Sequence, residues 1–233
     1  IDSVALTRVI PNLRPVIESI DARYPDDPPP GQTRRPQQPR KPNQKTTDIE
    51  HTTVLNIQWK ASDPNTDTLL FKLEYLAGGA TQWITIEDQL PGPQYQWDTL
   101  RVPDGRYLIR LTASDHPDNP PDMAKTHVRL SEPVVVDNSA PTLEGVEAEV
   151  GEDGVTLTGV ASDKVSSIES VHYTLSGEDD WQLLLPDDMI YDSTSESFEV
   201  TIPGLSPGRH AIMLRVVDAR RNSYYQAIEV EVR

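Results

Sequence analysis

Apolar and polar residues alternate with a period of two along most of this chain. In "RYLIRLTA", Tyr107, Ile109, Leu111 and Ala113 fall on one face, and Arg106, Leu108, Arg110 and Thr112 on the other. In "HAIMLRVVD", His210, Ile212, Leu214 and Val216 line up the same way. Such alternation predicts β-strands with one face in a core. No window carries a sustained apolar stripe at the helical spacing of about 3.6 residues. Val, Leu and Ile dominate the apolar set, and 21 prolines punctuate it. Together these features predict an all-β protein with frequent turns.

The pattern repeats. "IQWKASDPNTDTLLFKLEYLAGGATQW" followed by "YQWDTLRVPDGRYLIRLTASD" finds its echo in "LTGVASDKVSSIESVHYTLSGEDDW" followed by "ESFEVTIPGLSPGRHAIMLRVVD". Each copy runs through Ala-Ser-Asp, an apolar strand, a Gly-bearing turn and a Trp, then two more strands ending in Asp. Trp83 matches Trp181, Gly105 matches Gly208, and Asp115 matches Asp218. A repeat of about 100 residues predicts two homologous β-sandwich domains rather than a solenoid. The polar "VDNSAP" after Val135 marks the joint. The expected organisation is an extended segment 1–12, a first sandwich 13–137 and a second sandwich 138–233.

Residues 25–47 interrupt the strands with Pro25, Pro28, Pro29, Pro30, Pro36, Pro39 and Pro42. Proline lacks the N–H that a helix or sheet interior requires. A Pro-rich loop over 25–50 is therefore expected between a first strand near 13–24 and a second near 51–61. Arg34, Arg35, Arg40, Lys41 and Lys45 make it basic in an otherwise acidic chain.

On these residues the chain resembles tandem fibronectin type III or related bacterial immunoglobulin-like modules. The resemblance rests on Trp59 in the second strand, Tyr75 in the third, and "LRVPDGRYLIRLTA", whose Leu100, Pro103, Gly105 and Tyr107 resemble the family's turn into its sixth strand. "LSPGRHAIMLRVVDARRN" looks like the equivalent turn of the second copy, with His210 in place of the tyrosine and Gly159 in place of the second-strand Trp. The resemblance implies two tandem immunoglobulin-like (fibronectin type III-like) β-sandwiches. Modules of this kind resemble the C-terminal parts of secreted bacterial multidomain proteins, often behind a β-propeller.

Charge and composition narrow the function classes. The formal net charge of -16 disfavours nucleic acid and anionic membrane surfaces as partners. With 0 cysteines there is no disulfide framework, thiolate metal site or cysteine nucleophile. No apolar run approaches the roughly 20 residues of a membrane-spanning helix. The chain begins at Ile1 without a signal peptide, which reads as a mature or excised piece of a longer secreted protein.

Several motifs invite a chemical reading. "GLSPG" at 204–208 fits a hydrolase nucleophile pattern, but Pro207 has no N–H to serve an oxyanion and a strand follows where a helix is needed. His51, His116, His127, His172 and His210 are scattered without a metal-binding spacing. Trp83 and Trp181 occupy matching repeat positions, which favours structure; Trp97 remains the candidate for an aromatic carbohydrate contact. In "SDPNTDTLLFKLEY", Asp63, Asn65 and Asp67 alternate like calcium-loop ligands and Glu74 stands twelfth. Thr68 occupies the sixth position, where such a loop needs Gly, and flanking helices are missing. Asp63 and Asp163 therefore read as equivalent turn residues. Calcium, if bound, is expected at the joint, on Asp115, Asp137, Asn138 and Asp163.

The functional expectation is a non-catalytic extracellular structural, spacer or adhesion module. Its partner would be a protein or a cell-surface polymer. One alternative is an accessory carbohydrate-binding module of an enzyme. Another is a subunit of an extracellular polymer that self-associates by donating the N-terminal strand.

Overall fold

The computed structural model describes residues 11–25, 27, 51–175 and 180–233. The expected strand donor at 1–12, apart from Pro11 and Asn12, and the Pro-rich stretch 28–50 lie outside these residues. The chain forms two compact units. The first comprises Val54–Thr99 and Arg106–Val134 with the described residues of 1–25. The second comprises Val135–Arg233 and Leu100–Gly105 with the described residues of 26–53.

In the first unit, strands β1 (Val16–Arg23), β2 (Val54–Ser62) and β5 (Gln94–Asp98) form a sheet in the order β1-β2-β5. β3 (Leu70–Ala77), β4 (Ile84–Leu90), β6 (Gly105–Ser114) and β7 (Thr126–Leu130) form a second path in the order β4-β3-β6-β7. All these pairings are antiparallel. β1 starts one residue after Pro15, which has no N–H to give a ladder. A short 3₁₀ turn, Thr99–Arg101, leads toward β6, and β8 (Val134–Val136) carries the chain across the boundary between the units.

The period-two reading is borne out in β6: Tyr107, Ile109, Leu111 and Ala113 are all buried. Opposite them Leu55, Ile57 and Trp59 of β2 are buried as well. Aromatic rings link the two sheets. Trp59 meets Phe71 edge-on at 5.2 Å, and Trp97 of β5 stacks on Tyr75 of β3 at 5.2 Å. Each such buried aliphatic or aromatic side chain stabilises the fold by about 1.5–3 kcal/mol relative to exposure.

The second unit repeats the plan. β9 (Thr142–Val150), β10 (Val155–Ser162) and β13 (Ser195–Ile202) pair in the order β13-β10-β9. β11 (Ile168–Leu175), β12 (Gln182–Leu184), β14 (Gly208–Asp218) and β15 (Ser223–Val232) pair in the order β12-β11-β14-β15. Leu143, Val155, Leu157 and Phe198 from one sheet share a core with Val171, Ile212, Leu214 and Val216 from the other. Both units are thus all-β, immunoglobulin-like sandwiches with the same strand order.

Two sequence departures in the second copy have physical answers. Gly159 stands in β10 where the first copy has Trp59. The ring of Phe198 takes the vacated space so closely that a Cβ on Gly159 would lie 2.8 Å from its Cζ. His210 replaces the corner tyrosine, and its Nε2–H donates to the Ser206 carbonyl at 2.7 Å. In related sandwiches a tyrosine hydroxyl makes this hydrogen bond to upstream backbone. The imidazole therefore keeps the corner closed.

Candidate functional site

Each sandwich gathers three aspartates at the ends of its strands. In the first, Asp63 begins the turn after β2, Asp67 ends it, and Asp115 follows β6. One oxygen from each lies within 4.8 Å of the others. The turn chemistry explains the placement. Asp63 Oδ1 accepts the backbone N–H groups of Asn65 and Asp67, at 2.7 and 3.2 Å. A short acidic side chain folding back on its own turn in this way closes the loop without a glycine. Asp115 is fully buried, and its two oxygens accept from Lys125 N–H at 2.6 Å and Asn12 Nδ2 at 2.8 Å. Asp67 accepts from Asn119 Nδ2 at 2.8 Å. Amide donors thus surround the first cluster.

The second cluster joins Asp137, Asp163 and Asp218, again with one oxygen each within 4.8 Å. Asp163 opens the turn after β10, and its Oδ1 accepts from the N–H groups of Val165 and Ser166, both at 2.8 Å. Asp218 ends β14. Its Oδ1 accepts from Arg220 N–H at 2.7 Å and Asn222 N–H at 3.0 Å, and its Oδ2 from Asn222 Nδ2 at 2.8 Å. Arg221 adopts a left-handed φ of 69° to close that three-residue hairpin loop. Asp137 lies just after β8, and its Oδ1 accepts from Ser139 N–H at 3.3 Å.

The interior of this cluster is less well satisfied than its rim. Asp137 and Asp218 are 1% and 0% exposed. Asp137 Oδ2 is buried and has no hydrogen-bond partner among the described residues. The same holds for Ser166 Oγ, whose residue is buried and whose backbone N–H is bound to Asp163 Oδ1. Burial pushes the Asp218 carboxyl up to about 7; the Asn222 amide opposes the rise and the Asp137 charge adds to it. Burial also raises Asp137, with Ser166 and Ser139 opposing and the charges of Asp163 and Asp104 adding. Three carboxylates held together, two of them cut off from water, are costly unless a proton or a cation compensates them.

The structure brings together part of the expected metal set. Asp137 and Asp163 share the second cluster, and Asn138 lies next to Asp137 with its N–H given to Asp104 at 2.8 Å. Asp115 belongs instead to the cluster of Asp63 and Asp67, because it directly follows β6 in the first sandwich as Asp218 ends β14 in the second. Asp218 and Ser166 are the residues that sequence reasoning missed. The match of Asp115 to Asp218 in the repeat was the signal that would have found the first. Neither cluster contains a histidine.

The aromatic candidates resolve differently. Trp97 is 7% exposed, with Tyr75 stacked on it and Tyr107 against it edge-on at 6.0 Å. Its ring is core, which corrects its reading as a carbohydrate contact: no open face is left for a sugar. Trp83 lies under the guanidinium of Arg110 at 4.3 Å, and Trp181 under Arg215 at 5.2 Å. The two matching tryptophans therefore share one structural use, as platforms for strand-borne arginines. Ser206 of the "GLSPG" run is exposed ahead of β14.

The fold and these clusters define a class: tandem immunoglobulin-like β-sandwiches with acidic strand ends. No family model and no curated protein matches the chain. The chain is similar to the solved FN1–FN3 domains of chicken CNTN1, at 14% identity and a TM-score of 0.34, covering 79% of this chain. It spans 64% of that structure's length. It is also similar to the fibronectin(III)-like modules of Clostridium thermocellum CbhA, at 16% identity and a TM-score of 0.32, covering 79% of this chain and 87% of that one. Among the described residues no helix is long and apolar enough to cross a membrane.

Proposed function

We propose that this chain is a non-catalytic structural spacer or adhesion module of a larger secreted or cell-surface protein. The observation that carries this reading is the path of the chain through each sandwich. Seven successive strands run antiparallel to their sheet neighbours, from β1 to β7 and again from β9 to β15. An odd number of strands brings the chain out at the end of a sandwich opposite to its entry. A module so built extends a chain, and leaves its strand edges and end loops to meet a protein or a cell-surface polymer. The acidic, cysteine-free composition suits an extracellular surface.

Stretched between its termini in a force spectrometer, the protein is expected to unfold in two separate events, each releasing on the order of 100 residues, or roughly 350 Å of chain. One event releasing the whole chain overturns the spacer reading. So does turnover of a polysaccharide or peptide substrate that survives repeated purification.

A further inference from the structure

We propose that Asp137, Asp163 and Asp218, with the hydroxyl of Ser166, form a calcium site in the second sandwich. The three carboxylates alone would not define a ligand. The second observation is Ser166: its backbone N–H is held by Asp163 Oδ1 at 2.8 Å, its side chain is buried, and its Oγ has no hydrogen-bond partner among the described residues. A hydroxyl ordinarily finds a partner when it is buried. Asp137 Oδ2, in the same cluster, is likewise buried without one. Two unsatisfied buried oxygens therefore belong to one carboxylate cluster.

The donor chemistry narrows the ligand, and the spacing admits calcium. All the donors are hard oxygens, which suits calcium or magnesium and excludes sites built on thiolate or imidazole. Oxygens on opposite sides of a calcium ion are about 4.6–5.2 Å apart, and on magnesium about 4.0–4.2 Å. The three carboxylate oxygens lie within 4.8 Å of one another, close enough to share one calcium ion. The outer oxygens are preorganised: turn N–H groups of Val165, Ser166, Arg220, Asn222 and Ser139 already hold the carboxylates in place. Water would complete the coordination shell.

The test compares the wild-type chain with Asp137→Asn, after chelation, in calcium-binding calorimetry and thermal melts. Calcium is expected to raise the wild-type melting temperature, with chelator reversing the rise and magnesium acting weakly. Asp137→Asn is expected to bind one ion fewer, yet to melt higher than wild type in chelator, because an amide there ends the carboxylate crowding. Ser166→Ala, which keeps the fold's turn and loses only a hydroxyl, is expected to weaken calcium binding at least tenfold. Two results overturn the proposal: a wild-type melt that calcium leaves unchanged, or variants that bind as many ions, as tightly, as the wild type. Ions held at Asp63, Asp67 and Asp115 would persist in all three proteins and cancel in the comparison.

Discussion

Asn12 donates its side-chain amide to the buried carboxylate of Asp115 across 103 residues of sequence, at 2.8 Å. The same amide also reaches the Met123 carbonyl at 3.0 Å. This side chain fastens the entry of the first strand to the exit of the sixth. Asn12→Ala would leave Asp115, which is fully buried, one donor short. A loss of about 1–3 kcal/mol is expected from an orphaned buried acceptor, read as a lower urea midpoint at unchanged slope. A loss below a few tenths would show that Asp115 draws its satisfaction elsewhere.

The corner of the second sandwich rests on His210 and the Ser206 carbonyl. His210→Ala should destabilise by about 0.5–1.5 kcal/mol, the net worth of one such hydrogen bond. His210→Tyr should recover most of it, since a phenol at this corner serves the same carbonyl in related sandwiches. Chemical denaturation of the three proteins checks this, and equal midpoints for Ala and His would remove the corner from the account.

Phe198 occupies the room that Gly159 leaves. Gly159→Ala must push that ring or the strand, and a cost of about 1–3 kcal/mol is expected for overpacking. Phe198→Ala should cost about 3–5 kcal/mol through the cavity it opens. Because the two residues compete for one space, the double variant should be more stable than the sum of the single effects implies. Strict additivity in a double-mutant cycle would mean that the two do not touch.

Tyr191 offers a pH signature. Its hydroxyl donates to the Leu184 carbonyl at 2.8 Å. Burial, reinforced by the Glu196 charge and opposed by a backbone hydrogen bond to Val171, holds its ionisation above the usual tyrosine range. A group whose folded pKa exceeds its unfolded value stabilises fully below the unfolded pKa, near 10 for tyrosine, and loses that contribution as pH rises beyond it. The stability gap between wild type and Tyr191→Phe should therefore be constant up to about pH 9 and narrow above pH 10. Melts across that range check it; a gap of equal size at both ends would place Tyr191 in a wetter site.

Much of the architecture was legible in the order of residues, for reasons visible at particular positions. Tyr107, Ile109 and Leu111 alternate because a strand turns successive side chains to opposite faces, so their burial follows from spacing alone. Asp63 and Asp163 were recognisable as turn residues because the hydrogen bonds that define them reach only two to four residues along the chain. Trp97 misled for the opposite reason. An aromatic on a short strand has the same neighbours in sequence whether it faces solvent or core, and only the approach of Tyr75 and Tyr107 from the facing sheet decides.

By itself the sequence determined the strand periodicity, the duplication, the turn chemistry and the acidity of the strand ends, since each is a property of residues close together in the chain. The tertiary structure decided which carboxylates meet. Asp115 pairs with Asp63 and Asp67, and Asp218 with Asp137 and Asp163, because each stands at the end of a sixth strand that folding lays beside its own sandwich's second-strand turn. Those contacts join residues that lie far apart in sequence, and their energy resides in burial and charge that exist only once the two sheets have closed on one another.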